Sequence, residues 1–242
     1  MPESASNRKD LNVSPIGIFD SGVGGLSVWR KIVQQLPAEN TLYFADQAHI
    51  PYGQAALHAL RETFPDVPFV GMEPAVKPAV EQTRTGIVGV IATTATFQGD
   101  LFAGLVERFG NGFDIHTQAC PGLVEAVEAG ALDTPETESL LRSYLVPLLD
   151  VGIDQLVLGC THYPFLSQAI QRIVGPDVTL IDPAPAVARQ VERVLIRRNL
   201  LASWGQIGRH QFYTSSDPAQ FAAMAHMLTG VRHITHKANL LP

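Results

Sequence analysis

Cys160 and His162 are the most reactive pair of side chains in this sequence. They lie in the segment 159–164, Gly-Cys-Thr-His-Tyr-Pro, directly after the run 155–158, which is apolar after its first residue. A thiol near the start of a helix and two residues from an imidazole is in surroundings that favour a thiolate, which acts as a base or a nucleophile. The alternative is a buried, inert cysteine, but polar neighbours at a strand end favour a function.

A carboxylate and a hydroxyl, Asp20 and Ser21, follow another apolar run, 16–19. Open α/β sheets bind ligands at the carboxyl ends of their strands. The glycines within 22–25 permit a tight turn whose amides point at an anion near the next helix. Their spacing differs from the dinucleotide fingerprint, so a nicotinamide cofactor is not indicated, and an ordinary glycine-rich turn stays the alternative.

Four further features are weaker on their own. Glu128 is a candidate to orient His162, although glutamates near helix ends are usually solvated. Thr93 either binds a substrate carboxylate or ammonium or caps the following helix. The turn at Pro51, Tyr52 and Gly53 either caps a substrate or only reverses the chain. Cys120, which precedes Pro121, is expected to be structural.

A metal site is not expected. Cys160 and His162 lack the wider ligand spacing of zinc sites, and His233 and His236 lie near a polar terminus without a third ligand in the sequence around them.

Short apolar runs alternate with amphipathic stretches along the chain, which is typical of α/β folds with mostly parallel sheets. We expect strands at 16–19, 41–45, 68–71, 86–92, 114–118, 155–159, 179–181 and 211–214. We expect helices at 26–35, 55–64, 97–109, 122–129, 135–151, 165–174, 184–198 and 218–228. The predicted organisation is a tail at 1–14, a first α/β domain of 15–84 plus 205–242, and a second α/β domain of 85–204.

Charge and composition exclude several classes of protein. The 242 residues are 46% hydrophobic with a net charge of −6, which predicts a globular protein and argues against nucleic acid as a partner. No stretch has the apolar length of a membrane span, and the first ten residues do not resemble a secretory signal. We therefore expect a cytoplasmic protein without a membrane partner, in which both cysteines are thiols.

Taken together, these segments resemble the glutamate racemases of the aspartate/glutamate racemase superfamily. The resemblance extends from residue 15 to about residue 228. It is closest in five stretches, namely 16–26 with Asp-Ser-Gly, 43–53 ending in Pro-Tyr-Gly, 120–130, 156–166, and 212–218 with Phe-Tyr-Thr-Ser-Ser-Asp-Pro.

The resemblance implies an isomerase that interconverts L- and D-glutamate without a cofactor and supplies D-glutamate for peptidoglycan. Two pseudo-symmetric α/β domains would enclose the active site between them. Cys160 matches one of two cysteines on opposite sides of the substrate α-carbon, where one thiolate removes a proton and the other thiol returns one. The positions matched to substrate binding or to support of the cysteines are Asp20, Ser21, Tyr52, Gly53, Thr161 and His162, with Pro51 and Thr93 as further candidates. Glu128 matches the residue behind the histidine.

The expected partners follow from the same resemblance. L- or D-glutamate is the small-molecule substrate. A pyridoxal cofactor is not expected, because none of the four lysines (Lys9, Lys31, Lys77 and Lys237) falls in a motif. The sequence does not determine the oligomeric state, and a homodimer is one option.

One departure from the family is large. Family members carry, after the Pro-Tyr-Gly turn, a helix, a strand and a Cys-Asn-Thr segment with the first catalytic cysteine. Here Gln54 follows Gly53 and leads straight into the helix at 55. The first domain therefore loses one strand, although the 21 residues from Gln47 to Val67 suffice for a crossover. Cys120 matches a different, non-catalytic position.

The missing segment leaves two alternatives beside an active or impaired racemase. A single-cysteine enzyme similar to the arylmalonate decarboxylases needs only one thiol, because only one proton is delivered after carbon dioxide leaves. A glutamate-binding or partner-binding protein needs no catalytic thiol at all.

Overall fold

The structure, a computed structural model, describes residues 14–47, 55–203 and 205–238. The strands are β1 (Ile16–Asp20), β2 (Thr41–Ala45), β3 (Ile87–Ala92), β4 (Asp114–Ala119), β5 (Gln155–Leu158), β6 (Thr179–Ile181), β7 (His210–Thr214) and β8 (Thr235–Lys237). The helices are α1 (Leu26–Gln35), α2 (Ala55–Thr63), α3 (Val76–Gln82), α4 (Thr94–Gln98), α5 (Asp100–Phe109), α6 (Leu123–Glu128), α7 (Pro135–Asp150), α8 (Ser167–Val174), α9 (Ala184–Arg198) and α10 (Pro218–Thr229). A 3-10 turn, Tyr163–Leu166, precedes α8.

Two four-stranded sheets organise the described residues. One has the order β1-β2-β7-β8 and the other β4-β3-β5-β6, and all neighbouring strands are parallel. Because parallel strands are joined by crossovers that place helices on the sheet, the central strands β3 and β5 of the second sheet are buried along nearly their whole length. The predicted α/β class with parallel sheets is confirmed.

The chain divides into two compact units. The first unit takes residues up to Val70 and from Pro185 onwards, and the second takes Gly71–Ala184. The division lies earlier in the chain than the boundaries expected near 84 and 204. The reason is packing, since Val76 and Ala79 of α3 join the core of the second sheet, while Arg198 of α9 donates to the carbonyl of Asp66 in the first unit.

The core of the first unit is aromatic. Trp29 of α1 lies edge-on to Phe212 of β7, with ring centroids 5.2 Å apart. Tyr43 of β2 is fully buried between Phe212 and Phe221. These contacts fix α1 and α10 on the sheet. The second core is mainly aliphatic and includes Val88 and Val90 of β3, with Phe102 of α5 as its buried aromatic residue.

Three expectations about the elements are wrong. The segment 68–71 is irregular instead of a strand, since it lies at the boundary between the units and begins with Pro68, which cannot donate to a ladder. Helix α3 is missing from the expectations, although its Pro78 lies in the first helical turn, where a proline costs no hydrogen bond. Strand β8 was missed because it is short and polar.

Two expected helices are also divided. The helix expected at 97–109 is two helices that meet at Gly99, because Thr93 starts the first of them. The helix expected at 165–174 starts as the 3-10 turn that follows His162.

Candidate functional site

Cys160 lies at the carboxyl end of β5, where the chain leaves the second sheet. The turn begins at Gly159, whose amide donates to the carbonyl of Ile91 on the neighbouring β3 at 2.7 Å. A Cβ at position 159 would come within 2.9 Å of that carbonyl and of Ala92 Cβ. Only glycine allows this close approach, which brings the thiol to the strand end.

Three side chains form a chain of contacts in this unit, which we call the relay (Cys160, His162 and Glu128). His162 Nδ1 lies 3.7 Å from Cys160 Sγ. His162 Nε2 lies 2.8 Å from Glu128 Oε1, at the end of α6. Cys160 and His162 are buried and Glu128 is partly exposed.

The carboxylate of Glu128 sets the chemistry of the imidazole. When Nε2 carries the proton and donates it to the carboxylate, Nδ1 keeps its lone pair toward the thiol. His162 can then accept the thiol proton, and the charge that forms on the ring lies against Glu128. The relay is thus suited to producing a thiolate at the end of β5.

Two threonines lie next to the relay. Thr161 follows Cys160 in the sequence, and Thr93 follows a strand that neighbours β5 in the sheet. Thr161 Oγ1 is 3.5 Å from His162 Nδ1. Thr93 follows β3, the strand next to β5, and its side chain accepts the amide of Thr96 and so caps α4. A capping oxygen keeps further acceptor capacity, so a role of Thr93 in substrate binding stays a prediction.

Cys120 lies at the end of β4, on the other side of β3 from Cys160. Its thiol is buried and contacts the carbonyl of Gln118 at 3.4 Å. Burial, with the charge of Cys160 as a smaller cause, raises the pKa of Cys120 to about 12. At neutral pH this thiol stays protonated, so it lacks the thiolate that acts as a base.

Asp20 and Ser21 lie in the first unit, after β1. The carboxylate of Asp20 accepts the amide of Gly22 at 2.9 Å, which closes a tight turn before α1. Pro51, Tyr52 and Gly53 lie outside the described residues. The structure therefore brings together Cys160, Thr161, His162 and Glu128 within one unit, with Asp20 and Ser21 at a strand end of the other.

Sequence reasoning missed Tyr163 as a supporting residue. Its hydroxyl donates to the carbonyl of Cys120 at 3.3 Å while its ring is fully buried. The signal in the sequence is the tyrosine itself, because a tyrosine that is buried beside His162 needs a partner for its hydroxyl.

The described residues contain no group of three or more His, Cys, Asp or Glu side chains arranged to hold a metal ion. His233 instead packs against Phe212, with ring centroids 4.0 Å apart, and His236 lies against Tyr213. Within the part of the chain that the structure describes, the helices are too short or too polar to cross a membrane.

Residues 52–191 match the family described as Asp/Glu/Hydantoin racemase. The chain belongs to this family. A glutamate racemase from Roseiflexus sp. is 44% identical, with 90% of this chain and 93% of the relative covered. A second glutamate racemase, from Pseudomonas aeruginosa PAO1, is 45% identical, with 89% and 94% covered. The expected resemblance is confirmed.

Solved racemases share the fold. A glutamate racemase isoform from Bacillus anthracis superposes with a TM-score of 0.82 at 29% identity, covering 94% of this chain and 98% of that one. The enzyme from Francisella tularensis, solved with D-glutamate, gives 0.79 at 26% identity, with 94% and 98% covered.

The comparisons also bear on the missing segment. The alignment to the Roseiflexus racemase is 254 positions long, although this chain has 242 residues and only 90% of them are aligned. The relative therefore has residues for which this racemase-family chain has no counterpart, as the absence of a Cys-Asn-Thr segment predicts.

Proposed function

We propose that this chain interconverts L- and D-glutamate by proton transfer at the α-carbon, without a cofactor. The observation that carries the proposal is the relay at the end of β5, in a chain 44% identical to a glutamate racemase over nearly its whole length. Relatives solved with D-glutamate and with L-glutamate support glutamate as the substrate.

In the proposed reaction the thiol of Cys160 gives its proton to His162 Nδ1, and Glu128 stabilises the imidazolium at Nε2. The thiolate then removes the proton from the α-carbon, and the electron pair passes into the substrate carboxylate. Asp20, Ser21, Thr161 and Thr93 hold the substrate, together with Pro51, Tyr52 and Gly53. A water molecule then protonates the other face and yields the opposite enantiomer, and the hydroxide that forms takes the proton back from the His162 imidazolium, which restores the neutral imidazole beside the Cys160 thiol.

A two-thiol enzyme has one cysteine on each face of the substrate α-carbon, and this chain differs from such an enzyme on the face opposite Cys160. The sequence has two cysteines, Cys120 and Cys160, and both belong to the second unit. With a pKa of about 12, Cys120 is an unsuitable base. A second candidate function follows, namely a one-thiol enzyme that exchanges or delivers a proton on one face only, as in decarboxylation of a malonate.

The setting proposed for the reaction is the bacterial cytoplasm, where D-glutamate supplies peptidoglycan synthesis. The two free thiols support a reducing compartment. A homodimer is the proposed assembly, and light scattering of the purified protein at several concentrations tests it.

Proton NMR of L- and D-glutamate in deuterium oxide, with a chiral assay on the same samples, tests the function. Protein with an intact mass of 26.2 kDa must be used, so that the missing segment is known to be absent. Racemisation from both enantiomers supports the first candidate. Exchange of one enantiomer without inversion, or turnover of a disubstituted malonate, supports the second. No exchange and no turnover overturns both and leaves a binding protein, which a glutamate titration by calorimetry would detect.

A further inference from the structure

The hydroxyl of Tyr43 is bonded to the loop that carries Asp20. Tyr43 lies in β2 with no exposed surface, and its Oη donates to the carbonyl of Gly22 at 2.8 Å. The amide of the same residue, Gly22, donates to Asp20 Oδ1 at 2.9 Å. One residue thus connects the tyrosine hydroxyl to the carboxylate.

The ring of Tyr43 has little freedom to move. Phe212 and Phe221 lie against it, each with its centroid 5.9 Å away and tilted by 31°. The hydroxyl is therefore held at a fixed height above the end of the sheet, where the turn from Asp20 to α1 passes.

Gly25 shows how closely the same three groups pack. A Cβ at position 25 would lie 2.7 Å from Asp20 Cβ and 2.8 Å from Tyr43 Oη. Asp20 and the tyrosine hydroxyl therefore both approach the backbone at position 25, and a shift of one changes the space available to the other.

We propose that Tyr43 is a positioning residue for the Asp20 carboxylate. The proposal rests on the proposed function, in which Asp20 holds the substrate. A buried tyrosine hydroxyl needs a hydrogen-bond acceptor, but any acceptor would do. Here the acceptor is the carbonyl of Gly22, the residue whose amide binds the Asp20 carboxylate. The contacts of Tyr43, Gly22 and Gly25 instead orient one side chain before substrate binds, which is how positioning lowers a reaction barrier.

The test compares Tyr43→Phe with Tyr213→Phe. Both changes remove one hydroxyl from the same sheet, but Tyr213 is paired with Phe44 in the ladder and so lies on the opposite face from Tyr43. We expect Tyr43→Phe to lower kcat/KM for glutamate about tenfold and Tyr213→Phe to change it less than about twofold. Equal effects of the two variants would overturn the proposal.

A double-mutant cycle with Asp20→Asn separates positioning from a structural role. If Tyr43 acts through Asp20, Tyr43→Phe has no further effect once the carboxylate is gone, whereas a structural role gives multiplying effects. The cycle is measured on the α-proton exchange rate and, in parallel, on the dissociation constant of glutamate. Multiplying effects on both quantities would overturn the proposal.

A third readout does not depend on activity. We expect hydrogen exchange of the Gly22 amide, followed by NMR, to be about tenfold faster in Tyr43→Phe and unchanged in Tyr213→Phe, because the turn loses its anchor. An unchanged Gly22 amide in Tyr43→Phe would overturn the proposal even if activity fell. Absence of glutamate binding and exchange in the unaltered chain, with the amide shifted as expected, would overturn the proposed function and with it the catalytic purpose of the positioning.

Discussion

The two sheets differ in the burial of the strand that comes first along the chain, which is β1 in one sheet and β3 in the other. Strand β3 lies between β4 and β5 and is buried from Val88 to Ala92. Strand β1 pairs with β2 and forms the outer strand of its sheet as described, with Phe19 49% exposed. Both strands lead at their carboxyl ends into polar turns. The enclosed sheet holds the thiol, and the sheet with the uncovered first strand holds the carboxylate.

This difference divides the chemistry between the units. The relay is complete within the second unit, since Cys160, His162 and Glu128 all belong to it. Asp20 and Ser21 belong to the first unit, which contains no cysteine. Proton transfer should therefore depend on the second unit, while changes in the first unit should act through substrate binding and stability.

The largest expected effect is a difference between the two cysteines in how their removal changes the rate of α-proton exchange. We expect Cys160→Ala to lower the rate of α-proton exchange by at least about 10³-fold, because no other group of the relay takes a proton from carbon. Cys120→Ala is the matched control, with a change below about threefold. Thiol labelling at pH 8 checks the physical basis, since Cys120, with a pKa of about 12, should react far more slowly than Cys160. Normal racemisation by Cys160→Ala would contradict the assignment.

The second prediction removes the charge behind the histidine. In Glu128→Gln the side-chain oxygen can still accept a hydrogen bond from His162 Nε2, but the neutral amide cannot stabilise an imidazolium. We therefore expect kcat to fall by about 10- to 100-fold with little change in KM. Glu125→Gln, on the same helix and exposed, is the control and should keep kcat within about twofold. An equal loss in both variants would mean that general electrostatics, and not the contact with His162, carries the effect.

The buried strands are predictable from the sequence, whereas α3 in the second unit and β8 in the first are not. The apolar runs in β3 and, after Gln155, in β5 identify buried parallel strands, because a strand covered on both faces has no solvent-facing polar side. Strand β8 is polar and three residues long, so only its pairing with β7 defines it. Local pattern cannot reveal an element whose stability comes from its neighbour.

The same limit applies to the site. Cys160 and His162 are two residues apart, so their contact is predictable from their spacing. Glu128 is 34 residues from His162, so the sequence offers it only as a candidate beside the alternative of a solvated glutamate, and the structure places the two side chains 2.8 Å apart. The bond from Tyr43 to the loop after β1 depends on strand pairing and on the ring packing of α10, which no segment of sequence specifies alone.

The third prediction concerns the stability of the first unit. Gly25→Ala should lower the free energy of unfolding by about 1–3 kcal/mol, because the new Cβ would overlap Asp20 and Tyr43. Gly17→Ala is the control, since a Cβ there meets nothing within 4 Å, and should stay within about 0.5 kcal/mol. Urea unfolding followed by tryptophan fluorescence measures both, because Trp29 is buried in the core of this unit. A tolerant Gly25→Ala would show that the turn adjusts and that Asp20 is less firmly held.

The smallest expected effect is on the pH dependence of stability, which should differ between the two units. In the first unit, burial, with the charges of His210 and His226, lowers the pKa of His233 to about 4, and burial also lowers the pKa of His210. These rings lie against Trp29 and Phe212, and Thr229 Oγ1 lies 3.5 Å from His233 Nε2. A folded-state pKa below the unfolded value of about 6.5 means that stability is complete above pH 6.5 and is lost as pH falls toward 4.

We expect the second unit to lose stability at a lower pH than the first unit. Burial raises the pKa of Asp154, but hydrogen bonds from Thr83 and from the amides of Arg84 and Thr85 outweigh it and hold that pKa below its usual value. Its contribution is therefore lost only at a pH below that usual value. Between pH 6.5 and 4.5, we expect the urea midpoint reported by tryptophan fluorescence to fall, while the hydrogen-exchange protection factors of amides in β3 and β5, which are corrected for the intrinsic pH dependence of exchange, stay constant.

A matched pair of variants assigns the acid sensitivity to the half-buried ring of His233. His233→Phe keeps an aromatic ring against Phe212 and removes the titration, so the pH dependence of the urea midpoint should flatten. His236→Phe changes an exposed histidine next to Tyr213 and should leave that dependence as it is. If His233→Phe remained as acid-sensitive as the unaltered chain, the weakening would come from other groups, and the contrast between an aromatic, histidine-containing core and an aliphatic one would not explain it.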